Sequence, residues 1–468
     1  MPPFFPKQIA YRAIIIYFIA LVAVSLFFID YAMKFQYIVM GSAFVSGFFI
    51  MVNDWTTVKH SWKNKQFGQR LFILAVSLRL LWVVASYFYY IQWTGGPFEY
   101  DAADSMGYHD EASWLAGEKW ETTWYYYFGE RYHGIGDIGY PLYLTVLYKI
   151  FGPNILIPRI IKAFLSAYTC ILLYRMTTRM ANEETGRMAG IMCALMPNLI
   201  IYCGYHLKET EMLFLVVAYM ERADYLFRTR KWNFLHIVIP MLLAVSLFFF
   251  RTVLGTAAVF SYLTAVLLIN TPSMKRGWKR AAVTAWSVLL IAVVGGGKIQ
   301  SEIEEIWEGR EENVVKQRYK QSLHGNQWAQ YATGAVMAPM IMVLPFSTMV
   351  DVDQQYAQQT KHGGNYIRNF MGLFAILGIY EAFRRKQWKN YSLVGVLAIA
   401  YYIPVALSGF SNSERFLLPG IPCLIVMWAY GISTLRPSTY KLLNPWSMIV
   451  LAMEIGWAYF KLGSRGIV

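Results

Sequence analysis

AIIIYFIALVAVSLFFI, Ala13–Ile29, is seventeen residues without a charge. It is too long for the apolar region of a signal peptide and lacks a clear small-residue cleavage site, so it is expected to be a retained first membrane span. Blocks of similar length recur along the 468 residues, of which 57% are hydrophobic and 15% charged. Expected spans cover approximately 13–30, 37–53, 71–91, 155–176, 188–205, 209–227, 234–250, 253–270, 281–297, 366–383, 391–409, 416–434 and 443–461. The chain therefore reads as one all-α, polytopic membrane domain of about thirteen transmembrane helices.

The net charge of +14 follows the spans. With the N-terminus inside, every second connection is basic, from Lys59–Arg70 through Arg175–Arg187 and Arg228–Lys231 to Lys275–Arg280, Arg384–Lys389 and Arg436–Lys441. That is the positive-inside pattern, and it accounts for the charge without a nucleic-acid partner. Lys461 and Arg465 run against it. The four cysteines, Cys170, Cys193, Cys203 and Cys423, lie in or at the ends of apolar blocks with no metal-ligand spacing, and read as packing residues.

Two outside segments are long, 92–154 and 298–365, and long loops in a compact fold are commonly functional. The first contains GYPLYLTVLYKIFG (Gly139–Gly152), apolar but too short to span, which reads as an interfacial or re-entrant helix. Its aromatic stretch WETTWYYYFGERYHGIG suits a membrane boundary. The second contains a comparable short piece, Gly334–Met349. Were that piece to span, Arg384–Lys389 would move outside, so it is read as not spanning.

The first loop also carries DAADSMGYHDE (Asp101–Glu111), four carboxylates and a histidine in eleven residues. As a helix it places Asp104, Tyr108 and Glu111 on one face, with Asp101 one turn earlier; His109 and Asp110 point elsewhere. On the same side of the membrane lie His206, Lys208 and Glu209 in a tight turn, Arg251 in FFFRTVLG, and Arg415 at the start of a late span. Ionisable groups at such boundaries are functional candidates by default. Together they would set a carboxylate base beside a cationic anion site. Arg79, deep in the third span, is expected to pair with a polar group or snorkel inward. Asp351-Val352-Asp353 has the DxD form used with metal–nucleotides, but the pattern is short. No P-loop, dinucleotide fingerprint or GxSxG is present, which leaves nucleotide-dependent and serine-hydrolase chemistry without a foothold.

In order, DSMGYHDEASWLAG (Asp104–Gly117), GYPLYLTVLYKIFG, PRIIKAFLSA (Pro158–Ala167), HLKET (His206–Thr210) and ERFLLPGIP (Glu414–Pro422) resemble the GT-C-fold, polyprenyl-phosphate-sugar-dependent glycosyltransferases. These are related to protein mannosyltransferases and aminoarabinose transferases, here as a bacterial member. The resemblance implies transfer of a sugar from a lipid-linked donor to a glycan, lipid or protein acceptor, in a multi-pass protein of the plasma membrane with its site on the periplasmic or extracellular side. By position it makes Asp104 the catalytic base, with Asp101 as fallback, and Glu209 the second acid, orienting the acceptor or a metal. It implies substrate-binding roles for Asp101, Tyr108, Glu111, Tyr140, Arg159, His206, Lys208, Arg251 and Arg415. No organic cofactor follows from it, and a divalent metal is left open. The chain departs from the family in having two further spans before the catalytic loop, no large soluble C-terminal domain, and Tyr-Pro where a double proline is usual. Rival readings are a lipid-linked oligosaccharide transporter, which would place its charges at the midplane of repeated halves, and a surface-glycan polymerase or ligase, which would depend on Arg318, Lys320 and His324 of the second loop.

Overall fold

In the computed structural model the described residues are 4–58, 64–130, 135–229, 234–268, 286, 340–352, 355–407 and 413–467. Among them the chain is helical, and the only β pairing is an isolated bridge between Ala32 and Val350. The first three helices are α1 (Lys7–Phe27), α2 (Phe35–Val58) and α3 (Asn64–Thr94). The first long loop then folds into α4 (Ala103–Gly117), α5 (Trp120–Tyr125) and α6 (Gly139–Phe151). Next come α7 (Leu156–Met180), α8 (Glu183–Leu195), α9 (Pro197–Ile201), α10 (Glu209–Arg228), α11 (Phe234–Phe250) and α12 (Thr252–Leu268). The longer helices that follow are α13 (His362–Arg384), α14 (Ser392–Leu407), α15 (Ile421–Ser433) and α16 (Leu443–Gly463).

Among the described residues six helices are long and apolar enough to cross a membrane, or seven if the bent pair α8 and α9 counts as one crossing. This is a multi-pass membrane protein. The other expected spans that fall on described residues coincide with α10, α11, α12, α13 and α16. The expected span 281–297 lies outside the described residues apart from Trp286, which stacks on Tyr262 at 4.1 Å. Of the expected short piece 334–349, residues 340–349 are described, and they form a turn followed by buried non-helical chain. Pro345 brings no donor there, and Asn369 Nδ2 supplies the missing partners, donating to the carbonyls of Val343 (2.6 Å) and Pro345 (2.9 Å).

The stretch read as one span over 188–205 is broken, with a bend of 53° between α8 and the segment Pro197–Gly204. Pro197 opens α9 and has no N–H, so the carbonyl of Cys193 loses its helical donor. Arg79, fully buried in α3, supplies it. Its Nη2 donates to Cys193 O (3.2 Å), Nη1 to Ala194 O (3.0 Å) and Ala75 O (3.1 Å), and Nε to Ser166 Oγ (2.7 Å). The expected polar pairing of Arg79 thus takes the form of a side chain capping a broken helix in place of backbone. The four cysteines are free and buried, in keeping with a packing role.

Elsewhere the helices approach closely. A Cβ on Gly431 of α15 would lie 2.1 Å from Phe374 O, and one on Gly378 of α13 would lie 2.4 Å from Met427 O. Without lipid-excluding hydrophobic force between spans, such glycine contacts let backbones pack directly.

Candidate functional site

α4 begins at Ala103, so Asp104 sits in its first turn, where the helix dipole favours an anion. α4 packs along α6, whose Tyr140, Leu144, Thr145 and Tyr148 form its buried stripe. The break after α8 leads through Tyr202–Gly204 into a turn whose chain re-enters as α10 at Glu209. Arg251 occupies the junction of α11 and α12, and Arg415 lies in the short helix Glu414–Leu417 that leads into α15.

These separate pieces meet. Arg415 Nη1 donates to Asp104 Oδ2, and its Nε to Glu209 Oε1 at 2.5 Å. Arg251 Nη2 stands 3.8 Å from the same Glu209 oxygen, while its Nη1 donates to Tyr401 Oη at 2.7 Å. Tyr401 in turn donates to the carbonyl of Phe416 (2.8 Å), and the Phe416 ring lies 4.4 Å from the Arg251 guanidinium. Glu209 is fully buried, whereas the Asp104 side chain is 58% exposed. One guanidinium therefore joins a sheltered carboxylate to an accessible one. Lys208 pairs with Asp137, and burial pulls its ammonium below the usual lysine range. Tyr108, beside the pair on α4, has its hydroxyl pushed upward by burial, against the pull of Arg415, and stays protonated.

A second group lies deeper. Lys162, fully buried on α7, donates to the carbonyls of Tyr205 (2.9 Å) and Leu207, with Glu211 Oε2 at 3.7 Å and the Tyr140 ring centroid at 4.8 Å. Arg159, one turn earlier, donates Nη2 to Pro97 O (2.7 Å); its Nε and Nη1 have no hydrogen-bond partner among the described residues, nor does the Tyr140 hydroxyl. His206 Nε2 bonds Tyr148 Oη (3.1 Å), which bonds His109 Nδ1 (2.8 Å). Burial, reinforced by Lys162 and Arg159, holds His206 well below the usual histidine range, and burial also lowers His109, so both rings are neutral near pH 7.

The expected site residues thus divide. Asp104, Glu209, Arg251 and Arg415 converge, with Tyr108 and Lys208 beside them. Tyr140, Arg159 and His206 belong to the inner group. Asp101 is exposed, with left-handed backbone (φ 57°), and Glu111 is half-buried two turns beyond Asp104; neither joins the Arg415 contacts. His109, expected to point elsewhere, turns inward to Tyr148. Lys162, Tyr148 and Tyr401 were not anticipated. For Lys162 the signal was present, a cation three residues after Arg159 in an apolar span.

No cluster of three or more metal-ligating side chains occurs among the described residues, and both carboxylates of the Arg415 group already face cations. As arranged they do not form a metal site. Asp351 of the DxD pattern accepts from Gln359 Nε2 (2.9 Å) and lies 3.8 Å from Lys34; Asp353 is outside the described residues, as are Arg318, Lys320 and His324.

No protein-family model matches the sequence, and no curated protein matches it. Matches do occur among solved structures. The Archaeoglobus fulgidus oligosaccharyltransferase tethered to an acceptor peptide with the NVT sequon is 13% identical, with a TM-score of 0.49, covering 87% of this chain and 55% of that one. The same archaeal enzyme with an inhibitory peptide and a dolichol-phosphate is 13% identical at a TM-score of 0.48, covering 87% and 56%. Its apo form gives 12%, 0.48, 87% and 56%. This chain spans little more than half the length of those structures.

Proposed function

We propose that the protein is a GT-C-type glycosyltransferase that moves a sugar from a polyprenyl-phosphate-linked donor to a glycan, lipid or protein acceptor at the outer face of the plasma membrane. The observation that carries this reading is the single guanidinium of Arg415 shared between accessible Asp104 and buried Glu209, with Arg251 on the far side of Glu209.

The chemistry follows from charge. A lipid-linked phosphosugar carries its own leaving group, so no nucleotide is required on the outer face. An acceptor hydroxyl or amine attacks the anomeric carbon; its proton passes to Asp104, the bond from that carbon to the phosphate oxygen breaks, and the electron pair leaves with the lipid phosphate. Arg415 and Arg251 neutralise the returning phosphate charge in a half-buried setting where such contacts are strong. Phosphate also competes with Asp104 for Arg415, which frees the carboxylate as base when the donor arrives. Glu209 keeps the guanidinium aimed. A single displacement inverts the anomeric configuration. In this reading Tyr140, Arg159 and His206 back the site from the inner group, and Asp101, just before α4, and Glu111 on it serve the acceptor.

The test is purified protein in nanodiscs offered a panel of polyprenyl-phosphate hexoses and pentoses, with Asp104→Asn beside it. Sugar transfer by the wild type and its collapse in the variant is the expected result. Movement of labelled lipid across liposomes without covalent product would replace this reading with transport.

A further inference from the structure

Lys162 is the least expected charge in the molecule. It sits on a membrane-crossing helix, fully buried, and its ammonium is spent on backbone: the carbonyls of Tyr205 and Leu207. Those carbonyls belong to the turn between the broken span and α10. The residues that follow the clamped turn are Lys208, which reaches Asp137, and Glu209, which meets Arg415 and Arg251. Nothing else hydrogen-bonds those two carbonyls from a side chain among the described residues.

We propose that Lys162 is a positioning residue for the transfer site: from α7 it fixes the turn Tyr205–Leu207, and so sets where Glu209 holds Arg415. It touches neither the Arg415 group nor its substrates. The proposal rests on the functional reading above, because the position of Arg415 matters only if that guanidinium meets the donor phosphate. The physical reason for a lysine is reach and valence. Three donors on one flexible stem can hold two carbonyls that point in from successive peptides while the third faces Glu211 Oε2 and the Tyr140 ring, which a neutral residue of the same length cannot do. An ammonium so deep is tolerable because Glu211, also buried, balances its charge.

A stability-matched comparison separates the clamp from folding. Lys162→Met with Glu211→Gln removes cation and anion together and keeps the volume, but leaves the carbonyls of Tyr205 and Leu207 without a donor, as Arg79→Leu leaves those of Cys193 and Ala194. Glu211→Gln alone keeps the clamp. The probe is undecaprenyl phosphate, titrated into the full-length protein in nanodiscs, with melting temperature measured on the same samples. Lys162→Met/Glu211→Gln and Arg79→Leu are both expected to melt below wild type, since each leaves two buried carbonyls without a donor. At a temperature where both stay folded, the first is expected to bind the probe about tenfold or more weakly, the scale on which small displacements of binding groups act, and Arg79→Leu within about twofold of wild type. Glu211→Gln and Lys162→Arg are expected to bind within about twofold of wild type. Wild-type affinity in the double variant while Glu209→Gln binds weakly overturns the clamp and leaves the functional reading standing. An equal loss of affinity in Arg79→Leu also overturns it, since the lysine is then only structural. Unchanged affinity in both Glu209→Gln and Arg415→Ala removes the functional reading, and the positioning role with it.

Discussion

Arg415 and Glu209 stand 206 positions apart and meet at 2.5 Å, the carboxylate fully shielded and the guanidinium side chain 23% exposed. The same guanidinium reaches Asp104 in the first long loop. The two carboxylates differ in what each can lose. Asp104 has water on one side; Glu209 has only its arginines.

Asp104→Asn is expected to fold and to lower transfer by about 10²–10⁴-fold, the usual contribution of a positioned base. Its side chain is more than half exposed, so its removal costs little structure. Initial rates in nanodiscs together with melting curves check both halves of that statement. An active Asp104→Asn would take the base away from this residue.

Glu209→Ala is expected to act the other way round, destabilising the protein by about 3–5 kcal/mol because Arg415 and Arg251 lose a buried counter-charge. Thermal unfolding in detergent, compared with Asp104→Asn, reads the difference. Equal melting temperatures would mean that Glu209 is not the anchor of the cluster.

The lateral spread of the site was legible from the sequence because charge is scarce among apolar blocks. The parity of basic loops put Asp104, Glu209, Arg251 and Arg415 on one side, and their meeting needed only that the helices pack. Direction was harder. His109 was expected to face away from the Asp104 face of α4, and it does, but toward Tyr148 and the inner group instead of solvent. A helix wheel gives an angle; only the neighbouring α6 says what lies at that angle. The break at Pro197 was hidden for a related reason, since the apolar run 188–205 continues through it, and its mark is Arg79, a residue of another helix.

Arg79→Leu is expected to cost stability in proportion to the carbonyls it leaves without donors, about 1–3 kcal/mol for each buried one. Since the freed groups lie at the end of α8, hydrogen exchange should rise first at the α8–α9 break. Protection there equal to wild type would assign the cap to another donor.

Gly431→Ala is expected to push α15 from α13, because its new methyl carbon would lie 2.1 Å from Phe374 O. Backbone cannot swing aside as a side chain can, so overpacking of about 1–3 kcal/mol is the scale. Gly395→Ala, with open space at its Cβ position, is the matched control.

Acid should loosen the packing around His206. His206 is held below its usual value of 6.5 by burial, so the unfolded chain binds its proton first as pH falls. Stability from the neutral ring is whole above pH 6.5 and is lost progressively below it, toward the depressed native value. Melting temperature against pH should slope downward on the acid side in wild type and less steeply in His206→Gln. Parallel slopes would move the titration to other groups.

The contributors to the Arg415 cluster come from α4, the start of α10, the α11–α12 junction and the helix that leads into α15. During synthesis the last of these leaves the ribosome long after Glu209 has entered the bilayer region. Until then Glu209 has Arg251 at 3.8 Å and its neighbour Lys208 to balance it, and the half-made chain carries a less well compensated acid among apolar helices. Arrival of Arg415 therefore gives the nascent protein its lasting hold on that acid. A chain cut short before that point should be marked for membrane proteolysis.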